Sequence, residues 1–349
     1  MPLIVLGAGF HNSVQDCGRF GFRNYGVPAG GALDSASLRI LNLVVGNEED
    51  AAGIEATNGR LRLRFTDDRL FAWSGGDFDV TIAERAVPKR HCARATAGDL
   101  CEILPRRGRA WLAISGGIDV PKVLGSRSTD LRARYGGLKG RALRDRDEIP
   151  LAESSARARR IAEQIAGTVA DWSGPQLIPL SPGVFWSAPA TSIEPEKVIS
   201  KIARPDSSSW VKLTLRIVPG KNWSDVVGEK FLATKFRVAM NSDRMGLRLE
   251  GTSTVSGDNF ELVSEPIAPG TIQLPPGGDP IVLLADCQTV GGYPKLAHVI
   301  TVDLALAAQL QPRDELRFEL TSLEHARDLL RQREHEIAIF RAGLQARFG

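Results

Sequence analysis

Glycine and proline constrain the fold of this chain more than any other feature, because they divide nearly all of it into short segments. The 349 residues include 35 glycines and 20 prolines. Both residue types interrupt helices and favour turns. Between them, apolar and polar residues alternate in stretches such as residues 61–65, the pattern of a strand with one buried face. The sequence therefore predicts a mostly β protein, built as a barrel or a sandwich.

Ten segments have the length and composition of strands. They are residues 61–65, 70–73, 78–82, 100–104, 111–114, 212–218, 236–240, 271–274, 281–284 and 315–320. The first five follow one another at the spacing of hairpins. Strands and helices do not alternate along the chain, which argues against a doubly wound α/β fold.

Three segments are predicted to be helical. Residues 35–45 carry apolar residues at helical spacing and end before Gly46. A C-terminal helix is predicted from about residue 323 to 346, and Thr321 with Glu324 offers a capping box at its start. Residues 154–166 form a third helical stretch that is rich in alanine and arginine and polar nearly all round.

The chain is long enough for two domains of the usual size, about 100–200 residues each. Residues 166–209 contain many prolines and serines and show little periodicity, so they are predicted to be a linker or irregular segment. This boundary gives an N-terminal half of residues 1–165 and a C-terminal half of residues 210–320. Residues 321–349 hold the amphipathic C-terminal helix.

Composition excludes several classes of function. The net charge is only +3 and no long basic run occurs, which argues against nucleic-acid binding. Cys17, Cys92, Cys101 and Cys287 form no C-x-x-C pair and are too sparse for a disulfide framework. The sequence shows neither a signal peptide nor an apolar run of about 18 residues that would span a membrane. A cytoplasmic location is therefore expected.

Standard catalytic and cofactor motifs are absent from the sequence. There is no phosphate loop, no H-E-x-x-H and no G-x-S-x-G, and the five histidines are dispersed, so no metal site is predicted. Gly7 and Gly9 follow a short strand, but Asn12 stands where a dinucleotide motif has its third glycine. No Met-Lys dipeptide, the usual site of biotin attachment, occurs. No covalently bound cofactor is expected, and any biotin must arrive on a partner.

The first block of polar and glycine residues starts at Gln15. It includes Asp16 and Arg19 and continues to the pair Gly30 and Gly31. Glycines let backbone N–H groups approach an anion closely, and an arginine can grip a carboxylate or phosphate with two parallel hydrogen bonds. These five residues are predicted to bind substrate or an anion. The alternative is a tight loop in which the aspartate and the arginine pair with each other.

The second block follows the predicted strand of residues 236–240. It consists of Asn241, Ser242, Asp243 and Arg244. Asn, Ser and Asp favour β-turns, so a simple turn is one interpretation. Because a turn rarely needs an arginine, the sequence favours a chemical site lined by these four residues.

The third block begins at Asp286, directly after the predicted strand of residues 281–284. An aspartate at a buried strand end is either hydrogen-bonded structure or an acid or base with a shifted pKa. Cys287 is predicted to fill space rather than act as a nucleophile, because no histidine lies near it in the sequence. Lys295 either pairs with Asp286 or supplies positive charge to an anion. The other candidate binding residues here are Gln288, Thr289, Gly291, Gly292 and Tyr293.

Eight blocks of the sequence occur in the order found in one family. They are residues 15–19, 26–34, 114–121, 124–129, 136–143, 242–246, 270–273 and 285–294. Each block alone is weak evidence, but eight in order are specific. From about residue 3 to 320 the chain resembles the allophanate hydrolase subunit 2 family. That family includes the C subunit of bacterial ATP-dependent 5-oxoprolinase and part of the carboxyltransferase domain of urea carboxylase.

The resemblance implies two cyclophilin-like β-barrel halves and a companion B subunit, of the allophanate hydrolase subunit 1 type, that completes the active site. In a 5-oxoprolinase, the A, B and C subunits together open 5-oxoproline to glutamate with ATP, and the A subunit resembles a lactam hydrolase. The second function implied is transfer of a carboxyl group from carboxybiotin to urea or another amide. The third is a non-catalytic regulator that binds a kinase inhibitor similar to the B subunit.

The resemblance also places the carboxyltransferase pocket at Asn241 to Arg244. Arg19, Arg244 and glycine N–H groups suit the negative charge that both reactions develop, and Asp286 is suited to relay a proton. The chain departs from the family at Lys221 and Asn222, which follow Gly220 where the family has Pro-Gln. It also departs in residues 152–209, which are longer than usual. The sequence thus leaves open whether the substrate is 5-oxoproline, urea or another amide.

Overall fold

The structure, a computed structural model, describes residues 1–167, 177–178, 212–251 and 262–349. These residues fall into two compact units. The first unit takes in residues 1–19, 30–167, 177–178 and 335–349, and the second takes in residues 20–29, 212–251 and 262–334. Residues 20–29 therefore belong to the second unit, although they lie early in the chain. Most of the predicted linker, residues 166–209, lies outside the described residues.

The first unit is built on a ten-stranded antiparallel sheet. Its strands are β1 (Pro2–Phe10), β2 (Ser13–Gln15), β3 (Gly53–Ala56), β4 (Asn58–Arg64), β5 (Arg69–Ile82), β6 (Arg85–Ala86), β7 (Cys92–Ala95), β8 (Leu100–Ile114), β9 (Glu148–Pro150) and β10 (Leu177–Ile178). The main path runs β10-β7-β5-β8-β4-β1-β9. In addition, β2 pairs with β3, β3 with β8, and β6 with β5.

Strands β5 and β8 are each one long strand, although the sequence predicted two short strands in each place. They contain 14 and 15 residues and pair with each other along most of their length. The register shifts between Gly75 and Phe78, so the glycines form a bulge instead of a turn. Gly75 has φ of +124°, and a Cβ there would lie 2.2 Å from the Arg109 carbonyl oxygen. Only glycine allows this close approach of the two strands.

Alternation along the strands builds the core of the first unit. Leu61 and Leu63 on β4 are fully buried, while Arg60 and Arg64 face outward. Helix α1 (Ser35–Val44) packs against β5 and β8. It begins where the Asp34 carboxylate accepts a hydrogen bond from the Ser37 N–H at 3.0 Å. The predicted helix is confirmed within one residue.

Two further helices contribute buried residues to the first unit. Helix α2 (Ala156–Gly167) was predicted to be polar nearly all round, yet it buries Ala158, Ile161 and Ile165. The C-terminal helix spans Leu323–Phe348. The Ser322 hydroxyl caps its first turn by accepting a hydrogen bond from the His325 N–H at 3.0 Å. The predicted cap at Thr321 is thus wrong by one residue.

The second unit is a closed seven-stranded barrel. The barrel strands are β11 (Lys212–Pro219), β12 (Phe236–Val238), β13 (Gly246–Gly251), β15 (Thr271–Gln273), β16 (Ile281–Leu283), β18 (Lys295–Val299) and β19 (Glu315–Leu320). A separate two-stranded ladder consists of β14 (Glu265–Pro266) and β17 (Val290–Gly291). The barrel order is β11-β18-β15-β16-β13-β12-β19, closed by the parallel pairing of β19 with β11. The predicted mostly β class with a barrel and a C-terminal helix is confirmed.

Short helices complete the second unit. They are the 3₁₀ helices Arg23–Tyr25 and Thr301–Asp303 and the α-helices α3 (Asp225–Ala233) and α4 (Leu304–Ala307); the C-terminal helix is α5. Among the residues described, no helix is long and apolar enough to cross a membrane.

A buried ion pair fastens the 3₁₀ helix Thr301–Asp303 to β11. Asp303 is 1% exposed, and its carboxylate accepts from the Arg216 backbone N–H at 2.8 Å, from Nε at 3.0 Å and from Nη2 at 2.6 Å. Removing one partner of such a pair leaves the other buried and uncompensated.

We expect Asp303→Ala to lower the free energy of unfolding by about 3–5 kcal/mol. The matched control is Asp328→Ala, which breaks the exposed Arg331–Asp328 pair on α5. This substitution should change the free energy of unfolding by less than about 0.5 kcal/mol. Urea unfolding followed by circular dichroism measures both values. Equal effects of the two substitutions would contradict the assigned role of Asp303.

Candidate functional site

The predicted binding and catalytic residues lie in two groups, one in each unit. The first unit holds Gln15, Asp16, Arg19, Gly30 and Gly31. The second unit holds Asn241, Ser242, Asp243, Arg244, Asp286, Gln288, Thr289, Gly291, Gly292, Tyr293 and Lys295. Each group combines loop residues with residues at strand ends, such as Gln15 on β2, Gly291 on β17 and Lys295 on β18.

In the first unit, the carboxylate of Asp16 organises two loops. Asp16 is 5% exposed, and its Oδ1 accepts from the hydroxyls of Ser126 and Ser128, each at 2.6 Å, and from the Gly18 N–H at 2.8 Å. Its Oδ2 accepts from the Arg127 N–H at 2.5 Å. Because donors on both loops use this carboxylate, Asp16 has the geometry of a positioning residue.

The alternative pairing of Asp16 with Arg19 is not formed. The Arg19 side chain is buried, its Nη2 donates to the Ser128 carbonyl at 2.5 Å, and its guanidinium lies 4.7 Å from the centre of the Tyr135 ring. Within the described residues, Nε and Nη1 of Arg19 have no hydrogen-bond partner. An unpartnered buried donor is unfavourable by about 1–3 kcal/mol. Arg19 thus keeps two donor nitrogens that the described residues do not satisfy.

Gln15 is the last residue of β2, four residues before Arg19, and its side chain is fully buried. Its Nε2 donates to the Ser13 hydroxyl at 3.0 Å and to the Thr129 carbonyl at 3.2 Å. Its Oε1 has no hydrogen-bond partner among the described residues. The orientation of the amide follows from chemistry, because the Thr129 carbonyl can only accept a hydrogen bond.

The glycines of the first block support this loop. Gly30 and Gly31 have φ of +61° and +89°. A Cβ on Gly31 would lie 2.8 Å from the Gly18 nitrogen. The next residue, Ala32, donates its N–H to the Asp16 carbonyl at 2.9 Å. These glycines therefore let the chain pack against the loop that carries Asp16.

In the second unit, Arg244 and Asp286 come together. Nε and Nη2 of Arg244 donate to the two oxygens of Asp286 at 2.8 and 3.1 Å, and the side chains are 9% and 12% exposed. The Asp286 N–H also donates to the Arg244 carbonyl at 3.1 Å. The charge of Arg244 is therefore compensated by Asp286.

The other three residues of this block shape a turn. The Ser242 hydroxyl accepts from the Arg248 N–H at 3.0 Å, and Oδ1 of Asp243 accepts from the Met245 N–H at 2.8 Å. Asn241 is exposed. The contacts of Ser242 and Asp243 are those of the β-turn that the sequence left as the alternative.

Lys295 does not pair with Asp286. Its Nζ lies 2.9 Å from Glu265 Oε2, and Lys221 Nζ lies 2.5 Å from Oε1 of the same carboxylate. The hydrogen bond from Lys221, followed by that from Lys295, lowers the pKa of Glu265 to about 2. Glu265 and Lys221 were not predicted to be partners, although Lys221 is one of the residues at which the chain departs from the family.

Gln273 is a further polar residue that the sequence analysis did not assign to a site. It is 1% exposed, and its Nε2 has no hydrogen-bond partner in the described part of the chain. A Cβ on Gly291 would lie 2.6 Å from this nitrogen, so only glycine lets the backbone pack this closely against the Gln273 amide. The only signal for Gln273 in the sequence is its place in the block of residues 270–273.

The rest of the third block varies in exposure. Thr289 is 6% exposed and its carbonyl accepts from the Ile267 N–H at 3.0 Å. Gln288 and Tyr293 are exposed, and Gly292 is half-buried. The role of these residues in binding stays a prediction.

The cysteines are poor nucleophiles. Burial raises the pKa of the Cys287 thiol, and the neighbouring Arg23 opposes this only in part. Burial, followed by the charge of Asp16, raises the pKa of Cys17 to about 11. Burial also raises the pKa of Cys92 to about 12 and raises that of Cys101. Among the described residues, no cluster of three or more His, Cys, Asp or Glu residues is arranged to hold a metal ion.

We expect iodoacetamide to modify Cys17 of the folded protein at pH 7.5 at least about tenfold more slowly than free cysteine, because far less thiolate is present. The modification rate should rise as pH approaches a pKa of about 11. Mass spectrometry of tryptic peptides measures the rate, and urea-unfolded protein is the control. A folded rate equal to the unfolded rate would show that Cys17 is a reactive thiol.

The chain belongs to the family described as the carboxyltransferase domain, subdomain A and B, which matches residues 25–320. This confirms the resemblance to the family of allophanate hydrolase subunit 2 and the 5-oxoprolinase C subunit. The members of this family that are similar to the chain are parts of hydrolase and carboxylase enzymes.

Two relatives differ in how much of their length this chain covers. The 5-oxoprolinase C subunit of Escherichia coli is 33% identical over 332 residues, which cover 93% of both chains. Urea amidolyase of Lachancea kluyveri is 29% identical over 97% of this chain but only 18% of its own length. The crystal structure of Kluyveromyces lactis urea amidolyase superposes with a TM-score of 0.76 at 28% identity, covering 97% of this chain and 20% of that protein.

Proposed function

We propose that this chain is the C subunit of an ATP-dependent 5-oxoprolinase complex, which opens 5-oxoproline to glutamate together with a companion B subunit and a lactam-hydrolase-like A subunit. The observation that carries the proposal is the match to the 5-oxoprolinase C subunit of Escherichia coli over 93% of both chains. The match spans nearly the whole of that subunit but only 18% of urea amidolyase of Lachancea kluyveri. ATP is used by the assembled complex.

The chemistry of lactam opening explains which residues we assign to it. Negative charge develops on the amide oxygen or on an acyl phosphate, and positioned cations and N–H groups stabilise such charge. Asp286 is held by both Nε and Nη2 of Arg244. In this proposal the Asp286 carboxylate accepts a proton from the attacking water and delivers it to the leaving lactam nitrogen, and Arg244 orients the carboxylate.

A second candidate is a carboxyltransferase that moves a carboxyl group from carboxybiotin to urea or another amide. The family description and the TM-score of 0.76 with urea amidolyase favour it. Carboxybiotin would then arrive on a partner, because this chain has no Met-Lys attachment site.

Reconstitution distinguishes the two functions. We expect this chain, mixed with the A-type and B-type subunits of its own genome, to form glutamate from 5-oxoproline and ATP, and to form none alone. In parallel, a biotin carboxylase partner is added and labelled bicarbonate transfer to urea is measured, with a streptavidin blot to show which chain carries biotin. Transfer to urea without glutamate formation would favour the carboxyltransferase. Binding of the B subunit with no effect on either reaction would indicate a regulator.

Replacing both members of the Arg244–Asp286 pair tests their part in the reaction. Arg244→Ala alone should lower the free energy of unfolding by about 3–5 kcal/mol, because it leaves Asp286 uncompensated. The double substitution Arg244→Met with Asp286→Leu should recover most of that stability. If the pair takes part in the chemistry, the stable double variant still loses about 10²-fold in turnover of the reconstituted complex.

The outcome that opposes this assignment is a double variant that is both stable and fully active. Arg244→Lys is a useful third variant, because a lysine keeps the charge but cannot reproduce two parallel hydrogen bonds. We expect it to recover turnover only in part. Binding to the B subunit, measured by size-exclusion chromatography, serves as the check that each variant assembles.

A further inference from the structure

The first unit contains a buried cation without a counter-charge. Arg19, Arg69 and Arg244 are the arginines that are more than nine-tenths buried in the described part of the chain. Arg69 pairs with Asp67 at 2.6 Å, and Arg244 pairs with Asp286 at 2.8 Å. Arg19 has no carboxylate at ion-pair distance there, and its Nε and Nη1 have no hydrogen-bond partner. Buried polar groups normally have partners, so this arginine lacks a group that the chain itself does not supply.

Gln15 adds an unsatisfied acceptor to these donors. Its Oε1 is buried and has no partner among the described residues. Gln15 donates to the Thr129 carbonyl and Arg19 donates to the adjacent Ser128 carbonyl. The two side chains therefore hold consecutive carbonyls of the same segment.

Both side chains are held in place before any ligand arrives. Asp16 fixes the segment through the hydroxyl of Ser128 at 2.6 Å. The ring of Tyr135 lies over the Arg19 guanidinium at 4.7 Å. A Cβ on Gly136 would approach Nη2 of Arg19 to 2.9 Å, so a side chain there would displace it. Preorganised donors and acceptors of this kind favour ligand binding.

We propose that Arg19 and Gln15 form a binding site for the amide group of a small substrate. Arg19 donates to the amide carbonyl oxygen, and Oε1 of Gln15 accepts from the amide N–H. A lactam presents a carbonyl next to an N–H and satisfies both residues. A simple anion offers acceptors only and leaves Gln15 unsatisfied. Access requires a movement of the surrounding residues, and Tyr135, whose ring lies over the Arg19 guanidinium, is partly exposed.

This inference deepens the proposed function and rests on it for the identity of the ligand as a lactam. Binding is measured on the full chain without ATP or partner subunits. A failure of the reconstituted turnover and a failure of binding are therefore separate results.

Binding of small probes to the unaltered protein is the first test. We expect 2-pyrrolidinone, a lactam without other groups, to bind at least about tenfold more tightly than N-methyl-2-pyrrolidinone, which lacks the N–H. Saturation-transfer NMR titrations measure both affinities, with acetate as the anion probe. Acetate binding as tight as 2-pyrrolidinone, or no lactam binding up to about 50 mM, would overturn the proposal.

Substitution of an unpartnered and a partnered arginine is the second test. Arg19→Lys should weaken 2-pyrrolidinone binding by about tenfold or more, because lysine cannot reproduce the geometry of the guanidinium. Arg69→Lys is the matched control, a buried arginine of the same unit whose Nη1 donates to the carbonyls of Ser115 and Ala152. It should lower the melting temperature without changing the affinity. If neither variant changes the affinity for 2-pyrrolidinone, Arg19 is a structural residue and the proposal is wrong. If Arg19→Lys does not fold, the probe series on the unaltered protein decides whether the site binds a lactam.

Discussion

The carboxylate of Asp16 joins two loops of the first unit that are 110 residues or more apart in the chain. It accepts from the hydroxyls of Ser126 and Ser128 and from backbone N–H groups on both loops, while being 5% exposed. A buried carboxylate is stable only when hydrogen bonds of this kind replace its hydration. The Ser128 carbonyl that holds Arg19 is placed by the same hydrogen bonds. The geometry around Arg19 therefore depends on Asp16, although the two residues form no ion pair.

The β class and the helices could be predicted from the sequence because they depend on local patterns, whereas those patterns left open whether the strands form a barrel or a sandwich. Alternation in β4 and the turn residues between strands are visible in any short window. The continuity of β5 was not predictable in this way. Gly75 and Gly76 are typical of a turn, and only the facing strand β8, with its Arg109 carbonyl 2.2 Å from where a Cβ on Gly75 would lie, shows that they form a bulge. Long-range pairing thus decided between two structures that the local sequence allows.

The same limit applies to charged side chains. The sequence identified Arg19, Arg244, Asp286 and Lys295 as polar residues in unusual blocks, but it could not assign their partners. The sequence offered Lys295 as a partner for Asp286, but in the fold Asp286 pairs with Arg244 and Lys295 pairs with Glu265. Glu265 lies 30 residues from Lys295 and 44 from Lys221. No local pattern links residues so far apart, and without the fold their hydrogen bonds cannot be inferred.

The partners of the two arginines determine what each can do. Arg244 is paired through two nitrogens with a carboxylate, so its charge is balanced and its main effect is on Asp286. Arg19 keeps a permanent positive charge in a buried position with two unused donors. Burying such a charge without a counter-ion is unfavourable, and proteins keep unfavourable groups of this kind mainly at functional sites. A guanidinium that is fixed but unsatisfied is complementary to an incoming acceptor, whereas a satisfied one is complementary to its own partner. On this physical ground Arg244 suits proton transfer through Asp286, and Arg19 suits recognition of a carbonyl.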